Sequence, residues 1–139
     1  MIELDNRTKL IIDEDFLNFI AKSLTKKDIE LIITTQDEIK DINKEFRSIN
    51  KSTDVLSFPY EEMPMSPLGS IVISSWHVET KAKEFKHTQQ DELALLFIHG
   101  LLHLLGYDHE VDSGEMREKE KELMKKLNLP ESLITRNDG

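Results

Sequence analysis

The chain has 139 residues, 38% of them hydrophobic, and carries 27 acidic against 18 basic side chains, a formal net charge of −9 at pH 7. Such a length fills one compact core, so a single domain is expected over residues 1–139, and the acidic balance excludes nonspecific nucleic-acid binding by bulk charge, because phosphate contacts need Lys or Arg to displace counterions. The absence of cysteine excludes a disulfide scaffold and any thiolate metal site; it fits a reducing compartment, with the cytoplasm as the default.

The amino terminus, Met1-Ile2-Glu3-Leu4-Asp5, lacks the basic start and apolar stretch of a signal peptide. Ile2 and Leu4 alternate with polar residues as a strand does. Asp13 to Leu24 then places Phe16, Phe19, Ile20 and Leu24 on one helical stripe. Ile29, Leu31 and Ile33 predict a second strand. Thr35-Gln36-Asp37-Glu38 reads as a capping box opening a helix with Ile39, Ile42 and Phe46 inward. Close together at the end of that helix fall Lys40, Lys44, Arg47 and Lys51, a local basic cluster in an acidic chain. Val55-Leu56-Ser57-Phe58, ended by Pro59, predicts a third strand and Ile71-Val72-Ile73 a fourth. Between them Tyr60 to Leu68, with Pro64 and Pro67, is either a plain connector or a flap beside a site.

From there the pattern is helical. Val78, Ala82 and Phe85 are periodic in one helix, and Thr88, with Asp91 three residues on, caps the next. A closing helix is expected to be capped by Asp112 with Glu115, carrying Met116, Leu123 and Leu127 toward the core. Asn137-Asp138-Gly139 should fray. Strand-helix units first and helices last predict an α+β domain, with a small four-stranded mixed sheet packed with about five helices.

The most informative segment is His99-Gly100-Leu101-Leu102-His103-Leu104-Leu105-Gly106-Tyr107-Asp108-His109. On a helix over residues 91–105, His99 and His103 stack one turn apart on the same face. Gly106 can take the left-handed conformation that ends the helix and returns His109 as a third nitrogen ligand. Burying two histidines in the apolar run Leu93 to Leu105 otherwise demands a separate hydrogen-bond partner for each ring, whereas one ion serves all three. Three protein nitrogens leave one tetrahedral position of a single Zn²⁺ open, the mark of a catalytic rather than a structural zinc. That run is broken by two histidines and a glycine and is shorter than the ~20 residues that span a bilayer, so no membrane association is expected.

Zinc peptidases with an H-E-x-x-H helix use the glutamate beside the first histidine as general base. Gly100 stands at that position, which argues against a peptidase. Asp108 and Glu110 are close enough in sequence to orient a ligand or serve as a base. A non-catalytic reading, with a structural metal in a binding protein, also stays open at this point.

Thr53-Asp54-Val55-Leu56-Ser57-Phe58-Pro59, Leu68-Gly69 and the histidine segment together make the chain resemble the bacterial YbeY family over nearly its whole length. The resemblance implies a metal-dependent endoribonuclease of single-stranded RNA, not DNA. It also implies roles in maturing the 3′ end of small-subunit ribosomal RNA and in ribosome quality control, with the ribosome or small-subunit proteins as partners. It places the family's zinc ligands on His99, His103 and His109 and its functional arginine on Arg47, whose planar fork of donors suits phosphate. The attacking group is either an activated water or the RNA's own 2′-hydroxyl. Ser52 and Ser70 stand where the family usually has proline and aspartate, the latter a loss that matters if the acid positions water or metal. His77 and His87 are expected to be surface or capping residues.

Overall fold

Residues 1–130 are described by a computed structural model; Asn137-Asp138-Gly139 lie outside the described residues. The elements are β1 (Ile2–Asn6), α1 (Glu14–Leu24), β2 (Ile29–Thr34), α2 (Gln36–Arg47), β3 (Val55–Pro59), β4 (Gly69–Ser74), α3 (Ser75–Glu84), α4 (Gln89–Leu104) and α5 (Glu115–Leu127). The sheet runs in the order β1-β2-β4-β3, with β1, β2 and β4 parallel and β3 antiparallel on the edge. This is the expected α+β arrangement of a four-stranded mixed sheet and five helices.

Alternation along the strands sorts their side chains onto two faces. Leu31, Ile33, Ile71 and Ile73 join the main core with α1, α4 and α5, whereas Ile32, Leu56, Val72 and Phe58 meet Ile39 and Ile42 of α2. Helix α4 is the centre of the main core: Leu93 through Ile98, then Leu101 and Leu102, are each at most 1% exposed. A helix apolar all round is a buried helix, and its polar residues must find partners. Glu92 is fully buried and takes His87 at 2.7 Å. His87 is therefore an interior partner, not the surface or capping residue its sequence context implied. His77 joins the cap of α3, its N–H and Nδ1 both near Ser74 Oγ.

Caps follow the sequence in part. Asp13, Thr35 and Thr88 each accept a backbone N–H three residues on. The Thr35 box does not close: Glu38 turns away to the Thr34 hydroxyl and to Arg7. Helix α5 starts at Glu115 with Gly114, at φ 107°, in the cap position. Asp112 still serves it from outside, accepting the Gly114 and Met116 N–H groups.

Three aromatic residues expected to face inward do not. Phe19, Phe46 and Phe85 are 61%, 65% and 39% exposed, because each apolar stripe is wider than the surface it meets. In α1 the buried set is rotated to Leu17, Ile20 and Ala21, and α2 meets the sheet only through the small cluster of Ile39, Leu56 and Val72. None of residues 60–68 lines the histidine cavity described below; with the Tyr60 N–H bonded to the Leu68 carbonyl, the segment is a hairpin connector.

Gly100 lies where α4 packs closely on β3 and β4. A Cβ there meets Ile71 Cγ2 at 3.0 Å and Ser57 Oγ at 3.1 Å. Gly100→Ala is expected to destabilise the protein by about 1–3 kcal/mol through overpacking, read as a lower denaturant midpoint at unchanged m-value.

Candidate metal centre

His99 and His103 leave α4 on one face, ring centroids 4.7 Å apart. Past His103 the chain turns back through a Schellman motif: the Gly106 N–H bonds the His103 carbonyl and the Tyr107 N–H the Leu102 carbonyl, with Gly106 at φ 100°. That turn brings the His109 ring to 5.4 and 5.6 Å from the other two. One nitrogen from each ring lies within 4.8 Å of the others, a group that could hold a metal ion.

The tautomers follow from the partners. His99 Nδ1 is 2.7 Å from Glu120 Oε2 and His103 Nδ1 is 3.0 Å from the Tyr107 carbonyl oxygen. A carboxylate and a carbonyl only accept, so both Nδ1 atoms donate, which leaves a lone pair on Nε2 of each ring when that ring is neutral. Those Nε2 atoms stand 3.2 Å apart. Two lone pairs so placed repel unless a cation lies between them. Around a tetrahedral ion with nitrogens at ~2.0–2.1 Å, neighbouring nitrogens stand roughly 3.3–3.4 Å apart. His109 Nδ1 is, among the described residues, the one buried side-chain nitrogen or oxygen with no hydrogen-bond partner. Orphaned buried nitrogens are rare unless something else engages them. The donor set therefore fits a divalent metal.

Burial, with the neighbouring charge of His99 second, holds the His103 pKa below its ordinary value, against the Tyr107 carbonyl and Asp108. The ring is thus neutral at pH 7, the state a ligand needs.

The triad opens into a cavity of about 510 Å³ whose wall includes Arg47, Asp54, Ser57, Asp108 and Glu110. A wider groove of about 790 Å³ adjoins it past His109, along the start of α5. Arg47, at the end of α2, donates from Nη2 to the Ser57 carbonyl at 2.8 Å and lies 5.6 Å from the Phe58 ring centroid. The Ser57 hydroxyl donates to the Gly100 carbonyl at 3.0 Å. One serine on β3 thus joins the arginine to the histidine helix. All four residues singled out in the sequence, Arg47, His99, His103 and His109, meet around this cavity.

Asp108 does not orient a ring; it is exposed and accepts the Glu110 N–H. That role falls to Glu120, 1% exposed on α5, which sequence reasoning missed. Its signal was present: position 120 lies on the inward stripe of Met116 and Leu123, where an acid has no reason to be unless paired. Ser70 pairs across the sheet with Phe58, on the α2 face, and does not line the cavity. The acid that the family usually carries at position 70 would therefore sit on the α2 face, beside Phe58.

The endoribonuclease YbeY family model matches residues 3–128. A protein named endoribonuclease YbeY from Sulfurimonas denitrificans is 66% identical over 139 residues, covering all of both chains. One of the same name from Nautilia profundicola is 61% identical over 138 residues, 99% of each, and one from Helicobacter pylori 51% identical over 137 residues, 98% of each. Among solved structures, a Thermotoga maritima protein determined in solution aligns with a TM-score of 0.59 at 34% identity, over 88% of this chain and 85% of the other.

Glu120→Gln should weaken metal binding by roughly 10- to 100-fold with the fold retained, measured by competition with a chromophoric chelator. Because the folded pKa of His103 is depressed, the unfolded chain binds its proton first. The apoprotein should lose stability as pH falls below ~6.5, and thermal midpoints across pH 7.5 to 5 should show a shallower decline in His103→Gln.

Proposed function

The chain belongs to the endoribonuclease YbeY family, and we propose that it is a zinc-dependent endoribonuclease that cleaves single-stranded RNA. The observation that carries this reading is the convergence of two lone-pair nitrogens and a third, orphaned histidine on a cavity that also holds an arginine. His99, His103 and His109 would hold one Zn²⁺. When bound, the ion supplies Lewis acidity toward a phosphoryl oxygen and lowers the pKa of a coordinated water toward ~7.

The rest falls to the chain's own side chains. Arg47 uses one of its five N–H donors on Ser57, and its fork suits a phosphate oxygen and the charge that develops there during cleavage. Glu120 and the Tyr107 carbonyl keep the His99 and His103 rings from rotating, so their lone pairs stay aimed inward. Asp54, Asp108 and Glu110 line the same cavity, and one of them would take a proton from a water or a 2′-hydroxyl.

In the cell the substrate we infer is ribosomal RNA, at the 3′ end of the small-subunit RNA. Ribosome quality control is its wider role, and the cytoplasm its place. Among the described residues no helix is long and apolar enough to cross a membrane. A structural-metal assembly factor is disfavoured because closed zinc sites have four protein ligands, and here three nitrogens face an open cavity. The peptidase reading lacks the base that the H-E-x-x-H pattern supplies, since position 100 is a glycine packed against Ile71 and Ser57.

Labelled single-stranded RNA should be cut by the wild-type protein. His103→Ala should abolish cleavage, and Arg47→Ala should lower the rate by roughly 10²- to 10³-fold, with all three proteins purified identically and checked for fold. Equal cleavage by the three would assign the activity to a contaminant.

A further inference from the structure

Large apolar side chains left in solvent are informative when they gather beside a polar site. Phe46 is 65% exposed at the end of α2, directly before Arg47, and Ile49 just past the helix is 47% exposed. The Phe46 ring does not hang free. It meets Phe58 edge to face, centroids 5.6 Å apart and planes at 65°, and the Arg47 guanidinium lies over the same Phe58 ring. The Asn43 side chain donates to the Lys51 carbonyl at 3.0 Å, tying the loop after α2 back to the helix and keeping Lys51 near this end. Lys44 and Lys51 are exposed there. Of the four acids of α2, Asp37, Asp41 and Glu45 fall at four-residue spacing on a different stripe from Arg47, and Glu38 is paired with Thr34 and Arg7 at the other end of the helix. In a chain of net charge −9, this end of α2 therefore combines a braced aromatic face with cations.

Resting on the ribonuclease reading above, we propose that Phe46 is a stacking platform for one unpaired base of the RNA whose phosphate Arg47 engages. A fixed aromatic face beside a phosphate-binding cation is how single strands are held without regard to sequence, because every base offers a π-face. The same arrangement selects against duplex RNA, whose bases are already stacked on one another and cannot be offered to a protein ring. Single-strand preference then comes from Phe46 and not from the metal. Phe58 packs against both Phe46 and Arg47, and Phe46 and Arg47 are successive residues of α2, so the stacked base and the phosphate beside Arg47 belong to neighbouring positions of one strand.

The test is a titration of a fluorescein-labelled single-stranded 2′-O-methyl oligoribonucleotide, read by anisotropy, with wild type, Phe46→Ala, Phe46→Leu and Phe46→Trp. Circular dichroism and thermal midpoints check that each variant is folded. Phe46→Ala and Phe46→Leu should bind roughly 5- to 150-fold more weakly, while Phe46→Trp keeps its affinity. The added tryptophan should also be quenched on binding, beyond any change in wild type, whose only tryptophan is Trp76. In cleavage assays the alanine variant should show a raised KM. Alanine or leucine variants that bind like wild type would overturn the platform, as would a folded Phe46→Trp that shows no quenching. Cleavage with a KM indifferent to Phe46 would overturn the platform alone. Phe46-dependent binding without any cleavage would support the platform and overturn the nuclease reading. A wild type that binds no RNA would overturn both.

Discussion

Burial of α4 on nearly every side is the constraint from which the rest of the structure follows. From Glu92 onward a helix so enclosed cannot leave a polar side chain to water, so Glu92, His99 and His103 are each matched to a group outside it. Glu92 takes His87 from the loop after α3, His99 takes Glu120 from α5, and His103 takes the Tyr107 carbonyl from the turn that ends the helix. Burial without such partners costs on the order of 1–3 kcal/mol for each group, more where charge is involved. With both Nδ1 atoms committed, the Nε2 lone pairs are left facing one another at 3.2 Å. The fit to a cation is thus a consequence of how the helix is buried, as much as of which residues it carries.

The sheet divides the work of the two faces. On the α4 face, Gly100 lets the helix approach β3 and β4 closely enough for Ser57 to hydrogen-bond its carbonyl. The same residue's own carbonyl receives Arg47 from α2. A single position on the edge strand therefore sets the distance between the arginine and the histidine triad. On the other face, the small cluster of Ile39, Leu56 and Val72 anchors α2 but is too narrow to cover its carboxyl end. Phe46 is left exposed there, beside Arg47, by the same geometry that brings Arg47 to the cavity.

Much of this was legible in the chain. Strand alternation, the Asp13, Thr35 and Thr88 caps, and the spacing of His99, His103, Gly106 and His109 are local signals, because each depends on residues within one or two turns. The failures share one physical origin. Phe19, Phe46 and Phe85 were placed inward by periodicity, which reports the direction of a face and not the width of the surface it meets. His87 gave no local sign of Glu92, since pairing there depends on how α4 packs on the loop before it. Asp108 is near the histidines in sequence but accepts the Glu110 N–H, whereas the acid that orients His99 comes from the closing helix, 21 residues away.

By itself, the sequence determined which residues could be ligands and that the turn after α4 would bring them together, because helix period and glycine conformation are properties of short stretches of chain. It also determined the fold class, through the order of its strand and helix patterns. Only the tertiary structure decided that Nδ1 of His99 and of His103 are held by Glu120 and the Tyr107 carbonyl, that Arg47 meets the triad through Ser57, and that position 70 belongs to the far face. Those outcomes depend on which element crosses which, and packing of distant segments settles that where no local pattern can.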